Sequence, residues 1–278
     1  MDYLKVSIVT PNYNYAHFID KLIESVLQQD YPAIEHIIVD DGSTDNSVNI
    51  VNHYIEKHPN RIRLIRQVNQ GQTTAINVGL RAAKGDLIGW INSDDTYCAG
   101  SIKSIVSCFL KNPSIDIVFG DYCLTNENSE ILKMIKQLNI DYSMGACIGF
   151  GLLVSSNSVF WKASLMQKVG FLNEDLIYNM DGEYWSRLFY EGKSKHISTY
   201  IANFRWHAAA KTVRNQNKNM SERYKFELKY EINKSYSHLW ISRFIPFKHS
   251  KMLRKLYRFK RVFQRFIRWH YFSGKVMK

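Results

Sequence analysis

Four times before Asp121 the chain passes from a short β-branched, apolar run into a segment with helical spacing, and this alternation limits the fold more than any other feature. Leu4 to Val9, Ile34 to Val39, Ile62 to Ile65 and Leu87 to Ile91 are the strand candidates. Stripes at Phe18/Leu22/Val26, at Val48/Val51/Ile55 and at Ala75/Leu80/Ala83, and a stretch from Ser101 to Lys111, are the helices. A further strand is predicted at Ile115 to Phe119 and a short antiparallel one at Ile131 to Ile135. Alternation of this kind predicts an α/β, Rossmann-like, mostly parallel sheet flanked by helices, joined by right-handed crossovers. The first strand is expected to end at Thr10-Pro11-Asn12-Tyr13-Asn14, where a proline and asparagines stop regular pairing.

Two of the strands end in adjacent acids: Asp40-Asp41 ahead of Gly42-Ser43-Thr44-Asp45, and Asp94-Asp95 after Asn92-Ser93. Ligands of open α/β sheets lie beyond the carboxyl ends of strands, so these acids are carried to a site. Neighbouring carboxylates repel and are best tolerated beside a divalent cation or several donors. A plain structural reading also exists, since Asp-Gly builds turns and Asp caps helices. The polar start of the third helix, Asn69-Gln70-Gly71-Gln72, offers free N–H groups to an anion.

Several segments, in order, resemble family 2 glycosyltransferases of the GT-A fold, inverting enzymes that use nucleotide sugars. They are Ser7 to Asn14, Val39 to Asp45, Gln70 through Asn77, Gly79 and Gly85 to Asp95, and Asp181-Gly182-Glu183-Tyr184-Trp185-Ser186-Arg187. The resemblance covers roughly residues 5 to 211, and the domain is expected to span 1–215. It implies that Pro11 and Tyr13 pack on the base, that Asp40 and Asp41 bind base and ribose, and that Gln72, Asn77, Asp94 and Lys211 contact the donor. It implies Asp95 and His207 at a Mn²⁺ or Mg²⁺ ion, and Asp181 as the base with Glu183 beside it. Asn92 departs from the commoner acidic residue, though an amide still bonds a ribose hydroxyl.

The implied activity is transfer of a sugar from a UDP-linked donor to a saccharide or lipid-linked hydroxyl in surface polysaccharide or glycolipid assembly. A sugar nucleotidyltransferase would need a glycine-rich, basic triphosphate loop, which Thr10 to Ala16 lacks. A non-catalytic nucleotide-sugar scaffold is the other alternative, with Asn92 in its favour.

Charge divides the chain. There are 37 Lys+Arg against 25 Asp+Glu, and about a dozen of the basic residues fall between Arg243 and Lys278, where there is no acid. Met252, Leu253, Leu256, Phe259, Phe263 and Phe266 share one helical face against Arg254, Arg258, Arg261 and Arg265 on the other. Residues 216–278 are therefore expected to form a helical basic tail, with peripheral contact to an anionic membrane surface and no role with nucleic acid. No run approaches the roughly 20 apolar residues that span a bilayer. Cys98, Cys108, Cys123 and Cys147 show no paired spacing and no leader precedes them, which predicts reduced thiols in a cytoplasmic protein on the inner face of the membrane.

Overall fold

The computed structural model describes residues 3–137 and 154–207. In chain order the elements are β1 Val6–Asn12, α1 Ala16–Leu27, β2 Ile34–Asp40, α2 Ser47–Lys57, β3 Ile62–Arg66, α3 Gln72–Ala82, β4 Leu87–Trp90, β5 Thr96–Tyr97, α4 Ser101–Lys111, β6 Ile117–Thr125 and β7 Ile131–Ile135. After a 3-10 turn at Ser156–Ser158 come β8 Val159–Lys162, α5 Ala163–Val169, α6 Met180–Glu191 and β9 Ser194–Arg205. The basic tail and Lys211 lie outside the described residues.

One sheet runs in the order β3-β2-β1-β4-β8-β6-β9-β5. The first four strands are mutually parallel, as the alternation predicts. Beyond them β8 is antiparallel to both β4 and β6, and β6 pairs in parallel with β9. β7 folds back on the later half of β6. The parallel half therefore carries the strand ends that present acids, and the mixed half brings later segments of the chain beside them.

β1, β2 and β4 are buried on both faces. Val6 and Ile8 join α1 and α4 in one core cluster, whereas Val9 on the opposite face joins α3, α5 and α6 in another with Trp90, Trp161 and Trp185. Two glycines set the spacing. A Cβ on Gly79 would meet Val9 Cγ1 at 2.3 Å, so α3 lies directly on β1, and one on Gly85 would meet the Ser7 backbone nitrogen at 2.6 Å.

β1 continues past Val9 through Pro11 and ends at Asn12, inside the segment expected to close it. Alternate residues of a parallel strand face alternate neighbours. Val9 faces β4, where it receives Ile91 N–H at 3.0 Å, and Pro11 faces the same side, where β4 has already ended at Trp90. Its missing N–H thus breaks no ladder bond, and its carbonyl accepts from Ser93 Oγ at 2.9 Å.

His36, inside β2, is 1% exposed and bonds Thr10 Oγ1 through Nε2 at 3.0 Å. Burial, with the Arg61 guanidinium adding to it, lowers its pKa to about 3, so the folded imidazole is neutral. In the unfolded chain it titrates near 6.5. Below that pH only the unfolded chain gains the proton, so stability falls from about pH 6.5 towards 3. Urea unfolding is expected to show about 2 kcal/mol less stability at pH 5 than at pH 8 from this residue. His36→Gln should flatten the slope by that amount, and an unchanged slope would remove the assignment.

Candidate active site

The loops that leave β1 and β2 are stitched together by side chains. Asn12 Nδ2 donates to Asp40 Oδ2 at 3.0 Å and Ser43 Oγ at 3.1 Å. Asn14, held at φ +58°, accepts from Thr44 N–H at 2.8 Å. Asp45 receives the Ala16 N–H at 2.8 Å. Burial pushes the Asp45 pKa up, but hydrogen bonds from Ser47 and Ala16 outweigh it and leave the carboxyl below its usual range.

Asp40 and Asp41 sit at the centre of this knot, 2% and 3% exposed. Asp40 Oδ1 accepts from Ser43 N–H at 3.0 Å. Asp41 takes Gln67 Nε2 at 2.7 Å and the N–H groups of Gln70 and Gly71 at 2.8 Å each, which ties β2 to the start of α3. Both acids therefore build turns, with Gly42 at φ +80° supplying the left-handed residue. A carboxylate has about four acceptor positions, of which Asp40 uses two and Asp41 three in these turns. Tyr13, in the loop after β1, is 45% exposed, while Pro11 is buried.

After β4 the chain turns through Asn92-Ser93-Asp94-Asp95, closed by Asp95 N–H to Asn92 O at 3.1 Å. The two acids of the turn differ. Asp95, expected at the metal, is 2% exposed, and both its oxygens are taken, by Arg205 N–H at 2.8 Å and Asn157 Nδ2 at 3.1 Å. Burial and the adjacent Asp94 carboxylate push its pKa well up, so positive charge arriving nearby would relieve the pair. Asp94, expected on the donor, is the partly open one, and its Oδ2 faces His207 Nε2 at 3.0 Å.

His207 is fixed against Phe18 and Tyr15, with ring centroids 5.0 and 6.1 Å away. Arg205 lies under the turn. Its Nε donates to Asp94 O at 2.7 Å, its guanidinium covers the Phe18 ring at 4.9 Å, and it grips Glu127 O and Ser129 Oγ.

The donor set can be tested against a divalent cation. A carboxylate oxygen and an imidazole nitrogen are both ligands that Mn²⁺ accepts. Among the described residues no third His, Cys, Asp or Glu joins them. Two protein ligands fit an ion that fills its shell with diphosphate oxygens and water, as Mg²⁺ and Mn²⁺ usually do with phosphate ligands.

Asp181 opens α6, with Oδ1 on Gly182 N–H at 2.7 Å and Oδ2 on Ser156 Oγ at 3.3 Å. The next residue of that 3-10 turn, Asn157, is the one that holds Asp95. A two-residue bridge therefore links the acid after β4 to the acid at the start of α6.

Glu183 does not share this place. It is 1% exposed and forms a two-pronged pair with Arg187, at 2.7 and 2.8 Å, while Arg187 holds the carbonyls of Val169 and Phe171. Its spacing of four from Arg187 was the signal in the sequence for this anchoring role. Asn77 is likewise a bracket: fully buried, it bonds Leu172 through both its O and its N–H and also reaches Glu174 at 2.7 Å. Gln72 Nε2 reaches Asn92 Oδ1 at 3.0 Å. Ser156, Asn157 and Arg205 are the site residues that sequence reasoning missed. The first two lie in a stretch with no clear periodicity, and Arg205 is marked only by its place two residues before His207.

The sheet and its helices superpose on Staphylococcus aureus TarS bound to UDP with a TM-score of 0.61 at 18% identity, covering 73% of this chain and 61% of that one. They superpose on the mannosyltransferase PcManGT of Pyrobaculum calidifontis, in complex with GDP-Man and Mn²⁺, at 0.60 and 17% identity, covering 82% and 65%. The architecture is the GT-A fold. Among curated sequences, an uncharacterized glycosyltransferase of a Nostoc strain is 38% identical over 115 residues, 41% of this chain and 36% of its own. The Escherichia coli UDP-Glc:alpha-D-GlcNAc-diphosphoundecaprenol beta-1,3-glucosyltransferase WfgD is 36% identical over 143 residues, 51% of this chain and 54% of its own. The chain thus spans only about a third to a half of the length of these two relatives. Since residues 7–165, more than half of the chain, match the model described as Glycosyl transferase family 2, the chain belongs to that family.

Proposed function

We propose that this glycosyltransferase moves a sugar, with inversion, from a UDP-linked donor to a hydroxyl of a saccharide or lipid-linked acceptor during surface polysaccharide or glycolipid assembly. The observation that carries the reading is the bridge from Asp95 through Asn157 and Ser156 to Asp181. It joins the acid pair at a parallel strand end to a carboxylate on a separate helix. The names of WfgD and of the TarS complex with UDP support a UDP-linked donor, and that of WfgD a lipid-linked acceptor.

In this reading Tyr13 stacks on the base and the Asp40–Asp41 knot holds the nucleoside, which it can do without rearrangement because its own bonds already fix it. Asp94 and His207, rather than Asp95, would hold the cation, which would neutralise charge on the departing diphosphate. Asp181 takes the proton of the acceptor hydroxyl. Gly182 N–H and Ser156 hold its two oxygens, so the base meets the alcohol in one orientation.

A thermal-shift series with UDP-, GDP- and dTDP-sugars, each with and without Mn²⁺, tests the reading. A UDP-sugar with Mn²⁺ is expected to raise the melting temperature most, since a ligand of the native state stabilises by its occupancy. Slow release of free sugar from that donor should accompany it. A series in which no nucleotide sugar moves the transition would refute the proposal.

No helix among the described residues is long and apolar enough to cross a membrane. We assign membrane contact to the basic residues after Arg243, each worth about 1 kcal/mol near an anionic surface. Removing residues 243–278 is expected to abolish sedimentation with phosphatidylglycerol vesicles while donor hydrolysis persists. Unchanged sedimentation would remove the assignment.

A further inference from the structure

The two residues that bridge Asp95 to Asp181 lie in one short turn, and both ends of that turn are held by a third side chain, Gln137. Its Oε1 accepts from Ser155 N–H at 3.1 Å, and its Nε2 donates to Ser158 Oγ at 2.7 Å. Between these ends Ser156 meets Asp181 and Asn157 meets Asp95. Bonds inside the turn add to the hold. Ser158 Oγ donates to Ser155 O at 2.8 Å, and Ser155 Oγ donates to Asn157 Oδ1 at 2.7 Å, which leaves Asn157 Nδ2 turned to Asp95.

Gln137 is itself fixed from the sheet. β6 pairs with β8 as far as Phe119 and with β7 from Tyr122, and between them its register against β9 shifts on either side of Asp121. A shift of this kind re-aims the groups beside it. Here Gly120 O accepts from Gln137 Nε2, and Asp121 Oδ1 accepts the Gln137 main-chain N–H at 2.9 Å. The same oxygen faces His196 Nε2 at 2.8 Å, and Asp121 is buried. Each end of the buried Gln137 amide thus has a partner of matching polarity. Turned over, it would set donor against donor at Ser155. The bonds to Gly120 and Asp121 close the sheet where β6 changes partner, whereas those to Ser155 and Ser158 fix the turn on which both site acids depend.

We infer that Gln137 is a positioning residue, which sets the place of the base relative to the acidic turn after β4 by holding Ser155 and Ser158. The inference rests on the reading of Asp181 as the base proposed above, and it adds the side chain that holds the bridge in place.

The test compares the full chain with its Gln137→Met, Ser158→Ala and Tyr31→Phe variants, using the nucleotide sugar that raises the melting temperature most in the series above, with Mn²⁺. Sugar release at saturation, with water in place of the acceptor alcohol, is measured beside the Kd for UDP and the melting temperature. Methionine keeps the length of glutamine but has no N–H to donate and only a weak acceptor. Tyr31→Phe removes a hydrogen bond to Leu4 O at 2.6 Å, at the opposite end of β1 from the site, and controls for stability alone. Gln137→Met is expected to lower kcat by about 10- to 100-fold, the effect of a small misplacement of reacting groups, with the Kd for UDP nearly unchanged. Ser158→Ala should lower kcat less, in the same sense, and Tyr31→Phe should melt lower with kcat intact.

A folded Gln137→Met protein that releases sugar at the wild-type rate would overturn the inference. So would a fall in kcat that Tyr31→Phe matches at an equal loss of melting temperature, since stability alone would then account for it. If Gln137→Met does not fold, Ser158→Ala decides, and a wild-type kcat in that variant overturns the inference. A wild type whose melting no nucleotide sugar shifts, or that releases no sugar, would instead remove the function proposed above, and this inference with it.

Discussion

Replacing Asp181 by Asn is expected to cut sugar transfer by about 10²- to 10⁴-fold while leaving the affinity for UDP with Mn²⁺ nearly unchanged. The substitution keeps the size of the side chain and an oxygen for Gly182 N–H. Its new NH₂ faces Ser156 Oγ, a hydroxyl that accepts as readily as it donates. The start of α6 should therefore hold its place, with Trp185 Nε1 still on Ser156 Oγ at 3.4 Å. What the amide cannot do is accept the proton of an alcohol at neutral pH. Measuring kcat beside the Kd for UDP separates the two effects, since an interaction made only in the transition state lowers kcat and kcat/KM together. Transfer at the wild-type rate would show that another group removes the proton.

The parts of this molecule that were legible in print share one property: their partners are close in sequence or are the whole core. The parallel strands β1, β2 and β4 read as apolar runs because both of their faces are covered, and the helices between them show a clean stripe. β8 and β9 did not read as strands. β8 has only four residues, and β9 is a long, half-exposed strand with polar residues on both faces. The same distinction divides the site. The acids at the ends of β2 and β4 were visible because a strand end next to paired carboxylates is a local pattern. Which of Asp94 and Asp95 is open was not, because Asp95 is closed off by Arg205 N–H, 110 positions along the chain, and by Asn157, 62 positions along. The bracket made by Asn77 was hidden for the same reason, its partners Leu172 and Glu174 lying 95 and 97 positions away. Glu183 is the opposite case, since Arg187 stood four residues off and its pairing could have been read directly.

Asp94 and Asp95 should then fail in different ways when each is changed to Asn. Asp94→Asn is expected to bind UDP no better with Mn²⁺ than with EDTA, because the partly open carboxylate facing His207 is the one able to meet a cation. Its fold should hold, since an amide oxygen still accepts from His207 Nε2. Asp95→Asn is expected to cost about 1–3 kcal/mol of stability, the effect of setting a buried donor against a donor. In the wild type the two carboxylate oxygens meet Arg205 N–H and Asn157 Nδ2, so the new NH₂ is set against one of these donors. Mn²⁺ should still tighten UDP binding to that variant. Urea melts and UDP titrations on the two proteins distinguish the roles, because one variant loses the metal effect at full stability and the other loses stability with the metal effect intact. The reverse pattern, with Asp95→Asn fully stable and indifferent to Mn²⁺, would return the cation to Asp95 and require Asn157 and Arg205 to release it when the donor binds.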